Sequence, residues 1–191
     1  PQVLDTGIRS ITSLSAGSKD QIVMVLPSGE VYGFGSILNG LLPDFENAVK
    51  VARACGIEKP KVAPLCAVEV VNPKMQCTLD AEELTTLNEK GEIKHCIVDG
   101  PMSLDMAISR EACEHKGTLD RKITGDADIL LFPDIHSNNI AGKFIAHTTE
   151  HYAGMILSGT SAPVILTSRS DDIQTKVTSI AFASYIAENS K

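Results

Sequence analysis

The amino-acid sequence predicts an α/β fold, with a parallel-rich sheet and flanking helices. Short runs rich in apolar and β-branched residues alternate with segments whose apolar residues recur at helical spacing. Four consecutive strand-then-helix units predict parallel strands joined by right-handed crossovers. The run at 61–70 is nearly all apolar, as expected for a strand that is buried on both faces of a sheet.

The predicted elements follow in a regular order along the chain. Strands are predicted at 8–14, 21–26, 61–70, 94–98, 128–132 and 163–166. Helices are predicted at 45–55, from the acidic turn at 80–83 to Gly91, from 103 or 104 to 115, at 139–157 and at 171–188. Glycines 56, 91 and 117 stand where a helix would end, since glycine readily adopts the left-handed conformation that closes many helices.

Composition and charge exclude several classes of protein. The chain has 191 residues, 43% of them apolar, and a formal net charge of −7. This acidic balance, without a Lys/Arg run, argues against non-specific nucleic-acid binding. The chain has neither an apolar stretch approaching the roughly 18 residues of a spanning helix nor the features of a signal peptide at its start. We therefore expect a cytoplasmic protein that binds neither nucleic acid nor membrane, with its five cysteines as free thiols.

Loops that follow predicted strands are candidate ligand sites, because ligands bind at the carboxyl ends of parallel strands. In the last such loop, Ser168 offers a hydroxyl and Arg169 a planar charged group, which together suit a phosphate or a thioester carbonyl oxygen. Asp171 with Gln174 fits a capping box, which leaves Asp172 as a candidate general base. The alternative is that both aspartates serve only as helix caps.

Two earlier loops carry further candidates. In the loop after 94–98, Asp99 and Asp105 either face a cleft or are merely a turn acid and a helix acid, and Gly100 would let a ligand approach the backbone. In the loop after 128–132, Lys143 either binds a phosphate as a point charge or is simply solvated.

The segment 147–151 matches the H-x-x-E-H pattern of inverted zinc proteases. His147 and His151 are four residues apart, so one helix face would present both to a metal ion. Glu150 supplies only one of the two further groups that such a site needs, and so short a pattern recurs easily. We expect a partly exposed helix face that binds no metal, with a zinc hydrolase as the remote alternative.

Four stretches carry a family resemblance: AVEVVNPKM at 67–75, IVDGP at 97–101, ADILLFPD at 127–134 and PVILTSR at 163–169. In this order and spacing they resemble the phosphate acetyl/butyryltransferase family, and the butyryl branch in particular. The resemblance implies reversible transfer of a short or branched acyl group between coenzyme A and inorganic phosphate. Coenzyme A would be a substrate, with no tightly bound cofactor. The implied fold is the two-lobe architecture of isocitrate and isopropylmalate dehydrogenases, and we expect a homo-oligomer.

The resemblance also implies roles for particular residues. Ser168 and Arg169 would be active-site residues, and either Asp171 or Asp172 would be the base for the thiol. The residues expected to bind substrate are Asp99, Gly100, Pro101, Asn139 and Lys143.

The chain departs from the family pattern in three places. Family members carry an additional N-terminal region on the order of 100 residues, the size of a domain. We therefore expect residues 1–160 to form an α/β lobe and 161–191 to return to another lobe that is incomplete. The segment 26–35 replaces an acidic stretch of the family, and Asn138-Asn139 replaces its Gly-Asn pair, with Gly142 in place of an aromatic residue.

These departures have two consequences. They leave a non-catalytic homologue that binds acyl-CoA or acyl phosphate as the alternative function. If the N-terminal region is absent, activity is expected only in a longer polypeptide. The face of the last helix is then expected to be either covered by a second chain or an exposed apolar patch of Ile173, Val177, Ile180 and Ile186.

Overall fold

The computed structural model describes residues 12–14, 23–25, 31–34, 41–149 and 153–189. Its strands are β1 (Thr12–Leu14), β2 (Val23–Val25), β3 (Val31–Phe34), β4 (Lys61–Pro64), β5 (Ile97–Val98), β6 (Ile129–Phe132), β7 (Ile156–Leu157) and β8 (Val164–Ile165). Its helices are α1 (Leu41–Ala54), α2 (Gln76–Glu89), α3 (Leu104–Ile108), α4 (Arg110–Lys116), α5 (Ile135–Thr148) and α6 (Ile173–Asn189). The predicted α/β class is confirmed.

The described strands form one mixed sheet. Its order is β5-β4-β6-β3-β2-β7-β8, with β1 paired to β2. The strands β5, β4 and β6 are parallel, as predicted, whereas β3, which pairs parallel with β6, lies where no strand was predicted. The expectation of a parallel strand at 163–166 is wrong, because β8 pairs antiparallel with β7. A short connection containing Gly159 at φ 90° joins the two strands, and so short a link joins only antiparallel neighbours.

Strand β6 lies at the centre of the fold and is buried on both faces. Ile129 and Leu131 belong to one core cluster, and Leu130 and Phe132 belong to another. This division follows from the alternation of side chains along a strand. A fully apolar sequence is therefore what this position in the sheet requires.

Helix α1 covers one face of the sheet with an apolar stripe. Phe45, Ala48, Val49 and Ala52 stand at helical spacing, and none is more than 5% exposed. Phe182 of α6 joins the same core cluster. Fully burying one large apolar side chain contributes roughly 1.5–3 kcal/mol, so this contact holds α6 against α1.

Several predicted boundaries differ from those of the structure. The strand at 61–70 ends at Pro64, after which Leu65 pairs with Met102, and Val70 is 68% exposed. Helix α2 begins four residues before Asp80, so the acidic residues lie in its second turn. The predicted helix at 139–157 begins at Ile135 and ends at Thr148, which leaves 156–157 to form β7.

The predicted helix from 103 or 104 to 115 is divided into α3 and α4. The break is at Ser109, whose backbone is extended at φ −133° and ψ 114°. Its hydroxyl accepts a hydrogen bond from the Ala112 N–H at 3.2 Å and so caps α4. Gly117 ends α4 in the left-handed conformation, as predicted.

The cysteines are as the sequence predicted. All five are free thiols, and burial raises the pKa of Cys55 and of Cys96 to about 11.

Two further expectations concern the helices. Among the described helices, none has the length and apolar character to cross a bilayer. Ile173, Val177 and Ile180 are exposed as expected, but Ile186 is buried because it packs in the α1 cluster. The lobe boundary at residue 160 stays a prediction.

Candidate functional site

One wall of a cavity is a face of helix α5. Asp134 follows β6 and caps the helix, its carboxylate accepting a hydrogen bond from the Ser137 N–H at 2.8 Å. Ile145, two turns after Asn138 along the helix, packs against the core. The cavity face repeats every four residues, as helical periodicity requires. It consists of Asn138, Asn139, Gly142, Lys143, Ala146 and His147.

The opposite wall is the loop between β8 and α6. The Ser168 N–H donates to the Asp171 carboxylate at 2.5 Å, and the Asp171 N–H donates to the Ser168 carbonyl at 3.2 Å. These two bonds close a turn that contains Arg169. The Ser168 hydroxyl lies 3.0 Å from that of Ser170.

Asp172, rather than Asp171, caps helix α6. Its Oδ1 accepts a hydrogen bond from the Thr175 N–H at 2.6 Å. The predicted capping box of Asp171 with Gln174 is therefore wrong, because the helix begins one residue later than that pairing requires. The Gln174 amide instead donates to the Thr178 hydroxyl at 3.2 Å.

A hydrogen bond between α6 and the segment before β7 completes the cavity. The Met155 N–H donates to the Ser179 hydroxyl at 2.9 Å, and that hydroxyl donates to the Thr175 carbonyl at 2.7 Å. Ala153 and Met155 line the cavity, together with Leu166. The cavity volume is about 600 Å³, within the range of small-molecule sites.

This cavity brings together six of the residues that sequence analysis named. They are Asn139, Lys143, Ser168, Arg169, Asp171 and Asp172. We expected these residues to meet because each follows the carboxyl end of a parallel strand. This reason holds for the residues of α5, which follows the parallel strand β6. It does not hold for the loop after β8, because β8 pairs antiparallel with β7. The chemical roles assigned to these residues stay predictions.

Two cations of the cavity have no carboxylate partner in the described part of the chain. Lys143 and Arg169 form no ion pair with any described residue. The nearby Asp171 and Asp172 instead accept hydrogen bonds from backbone N–H groups. Among the described residues, no carboxylate competes with an anionic ligand for these two cations.

Asp99, Gly100 and Pro101 do not line this cavity. Asp99 is 7% exposed, and its carboxylate accepts hydrogen bonds from Arg121 at 2.7 Å and from the Ile123 N–H at 3.0 Å. A Cβ at Gly100 would lie 3.0 Å from the Pro64 side chain and 3.1 Å from that of Ala81, so a larger residue would crowd this packed position. Their assignment to substrate binding stays a prediction that this cavity does not support.

His147 is the cavity residue whose position sequence analysis missed. It is exposed and lies in the cavity wall four residues after Lys143. The spacing of Asn139, Lys143 and His147 was the signal that could have placed it there. Within the described ranges no three His, Cys, Asp or Glu side chains are grouped to hold a metal ion. Glu150 and His151 lie outside those ranges, so the metal prediction stays untested.

The described structure is an α/β fold with a cavity, lined by two cations, between a helix face and a strand-to-helix loop. A family model described as phosphate acetyl/butaryl transferase matches residues 45–184. The chain belongs to this family. The matched range contains both walls of the cavity.

Curated relatives of known name agree with this assignment. A phosphate butyryltransferase of Clostridium acetobutylicum is 54% identical over 143 residues, which is 75% of this chain and 47% of that protein. A phosphate acetyltransferase of Thermotoga maritima is 44% identical over 142 residues, which is 74% of this chain and 48% of that protein. The chain thus spans about half the length of the curated relatives it matches.

Solved structures show a similar fold. A branched-chain phosphotransacylase from Enterococcus faecalis V583 superposes with a TM-score of 0.76 at 33% identity, over 91% of this chain and 65% of that chain. The EutD phosphotransacetylase from Staphylococcus aureus gives a TM-score of 0.66 at 26% identity, over 90% of this chain and 54% of that chain.

Proposed function

We propose that this chain contributes the active site of a phosphate acyltransferase. The reaction is reversible transfer of a short or branched acyl group, such as butyryl, between coenzyme A and inorganic phosphate. The observation that best supports this proposal is that Ser168, Arg169 and Lys143 line one cavity. In the described part of the chain, neither Arg169 nor Lys143 has a carboxylate partner. Family membership and the named relatives support the same chemistry.

The cations of the cavity suit the phosphate end of the substrate. Arg169 presents a planar group that binds two oxygens of one phosphate, and Lys143 adds a point charge from the opposite wall. Charge that develops on the departing phosphate is stabilised by donors already in place. The overall charge of −7 makes these local cations necessary for a polyanionic ligand.

The chemical step is attack of the coenzyme A sulphur on the acyl phosphate carbonyl. The C–S bond forms, the C–O bond to phosphate breaks, and phosphate leaves with the bonding electrons. The thiol proton passes to Asp171 or Asp172. Because an ordinary thiol pKa is about 8.5 and an ordinary carboxyl pKa about 4, this transfer is uphill. Positioning of the reactants therefore contributes more than basicity.

The apolar part of the cavity suits the acyl chain. Ala146, Ala153, Met155 and Leu166 line it beside the polar loop. Each buried methylene of an acyl group contributes roughly 0.8 kcal/mol, so a chain of a few carbons gains several kcal/mol there.

The proposal extends to the architecture and location of the whole protein. We propose a two-lobe fold like that of isocitrate dehydrogenase, a homo-oligomer, and a cytoplasmic location. Exposed Ile173, Val177 and Ile180 on α6 support the presence of a further packing surface in the complete protein.

The test is phosphate-dependent release of free thiol from butyryl-CoA by the complete polypeptide that carries this chain. We expect release that requires both butyryl-CoA and phosphate, and that falls strongly in Ser168→Ala. The matched control is Arg53→Ala, an exposed arginine of α1 outside the cavity. Binding of butyryl-CoA without any phosphate-dependent release would instead establish the non-catalytic homologue.

A further inference from the structure

Two thiols lie side by side where strand β4 gives way to helix α2. Cys66 follows the end of β4, and Cys77 is in the first turn of α2. The Cys66 thiol donates a hydrogen bond to the Cys77 carbonyl at 3.2 Å. Both residues are half-buried, whereas Cys96 and Cys113 are buried. A small reagent can therefore reach this pair from solvent.

Hydrogen bonds of the neighbouring backbone hold the two thiols in place. The Cys66 N–H donates to the Met102 carbonyl at 2.8 Å. Next to the second thiol, the buried Thr78 hydroxyl accepts a hydrogen bond from the Asn72 N–H at 2.9 Å. The loop at 67–76 is therefore fastened near both ends, and the fold itself brings one sulphur to the other. Such fixed proximity favours a reaction between two groups, because their freedom is already lost on folding.

The electrostatics of the pair separate the roles of the two thiols. Burial raises the pKa of Cys66 to about 12, and repulsion between its thiolate and that of Cys77 adds to the increase. Because the thiolate is the attacking form, Cys66 is a poor first nucleophile, and Cys77 takes that role. Once the Cys77 sulphur is bonded to another sulphur, it no longer carries a charge that opposes the Cys66 thiolate. Cys66 is therefore suited to the second step of a thiol–disulfide exchange.

We propose that Cys66 and Cys77 form a modification site, at which a small disulfide such as oxidised glutathione converts the two thiols to an intramolecular disulfide. The Cys77 sulphur attacks the small disulfide and bonds to one half of it, while the other half leaves as a thiolate. The Cys66 sulphur then attacks the Cys77 sulphur, and the second half leaves. The two cysteine protons pass to the released thiolates, and the small disulfide takes up the two electrons that the protein loses. The bridge closes the loop after β4, at the sheet edge where α5 follows the parallel strand β6.

The experiment equilibrates the complete polypeptide that carries this chain in buffers of reduced and oxidised glutathione. Disulfides are then mapped by non-reducing proteolysis and mass spectrometry. The variants are Cys66→Ser and Cys77→Ser, and the matched control is Cys55→Ser, which removes a half-buried thiol outside the pair. The wild type is also equilibrated in urea, because two cysteines only eleven residues apart in sequence pair to some extent in an unfolded chain.

We expect a bridge between Cys66 and Cys77 in the wild type and in Cys55→Ser. Its equilibrium constant against glutathione should be at least about tenfold higher in the native protein than in urea, since the fold supplies the proximity. Cys66→Ser should stop at a glutathione adduct on Cys77, whereas Cys77→Ser should form neither the bridge nor a comparable adduct on Cys66. A constant no higher than in urea, or a wild-type protein that retains glutathione on Cys77 without forming the bridge, would overturn the proposal.

Discussion

Two groups of charged side chains lie beside the sheet, and they differ in where their charges are satisfied. The first, which we call the β5 cluster, consists of Glu69, Asp99, Asp105, Lys116 and Arg121. Its ion pairs are internal, with Arg121 on Asp99 at 2.7 Å and Lys116 on Glu69 at 2.6 Å. The second, the cavity cluster, consists of Lys143, Ser168, Arg169, Asp171 and Asp172.

This difference in ion pairing indicates that the charges of the β5 cluster stabilise the fold, whereas the cations of the cavity cluster are placed to bind a ligand. In the β5 cluster, each carboxylate accepts hydrogen bonds from a cation that packs beside it. In the cavity cluster, the carboxylates accept hydrogen bonds from backbone N–H groups, and the cations have no ion pair within the described ranges. Substitution should therefore affect stability in the first cluster and activity in the second.

The largest effect on stability is expected from Asp99→Ala. The substitution removes the carboxylate partner of Arg121 and leaves the Ile123 N–H unpaired, in a site where the Asp99 and Arg121 side chains are only 10% and 19% exposed. Removing one partner of a buried pair costs about 3–5 kcal/mol. Urea denaturation should show this loss, and the double variant Asp99→Ala with Arg121→Leu should recover part of it. A loss below about 1 kcal/mol would show that the pair contributes as little as a surface pair.

Arg169→Ala should lower activity strongly and leave the stability of the fold almost unchanged. Loss of one positioned charge-stabilising donor lowers kcat by about 10²–10³, or about 2.7–4 kcal/mol. The free energy of unfolding should change by less than about 0.5 kcal/mol, because the side chain is exposed. Parallel kinetics and denaturation check both parts. An activity loss matched by an equal loss of stability would remove the distinction between the two clusters.

A smaller effect is expected within the cavity cluster, at the cap of α6. Asp172→Ala should lower the free energy of unfolding by about 1 kcal/mol, whereas Asp172→Asn should retain the cap. Denaturation measures the cap, and activity of the same variants measures the carboxylate. Full activity in Asp172→Asn with loss in Asp171→Asn would identify Asp171 as the base, and the reverse result would identify Asp172.

The smallest effect concerns acid stability of the exposed part of the β5 cluster. Hydrogen bonds from Lys116 hold the pKa of Glu69 below its ordinary value, and those from Ser103 and Lys116 do the same for Asp105. Their stabilisation is therefore full above the ordinary carboxyl pKa of about 4 and is lost as the pH falls through the lowered values. Thermal melts between pH 6 and 3 should show a shallower decline for Lys116→Met than for the wild type. Added salt should reduce the difference, and an unchanged decline would contradict the role of Lys116.

The sequence predicted the elements whose pattern is local. The apolar stripe of α1 and the apolar run of β6 are periodic signals, because burial of one helix face or both strand faces dictates the residues. The turn of Ser168, Arg169 and the aspartates was also found from its strand-to-helix position. The element boundaries that were predicted wrongly are set by contacts between residues far apart in the sequence, such as the pairing of Leu65 with Met102. A pattern within a short stretch of sequence does not reveal such contacts.

The sequence by itself determined the α/β class, the strand at 128–132 and the strand-to-helix position of the loop with Ser168 and Arg169. Only the tertiary structure decided that β8 pairs antiparallel with β7, that Asp99 pairs with Arg121, and that the Asn138 Oδ1 is buried with no partner among the described residues. The physical reason is that periodicity and capping act within a few residues. Ion pairing and burial depend on which distant segments meet, and Asp99 and Arg121 are separated by 22 residues.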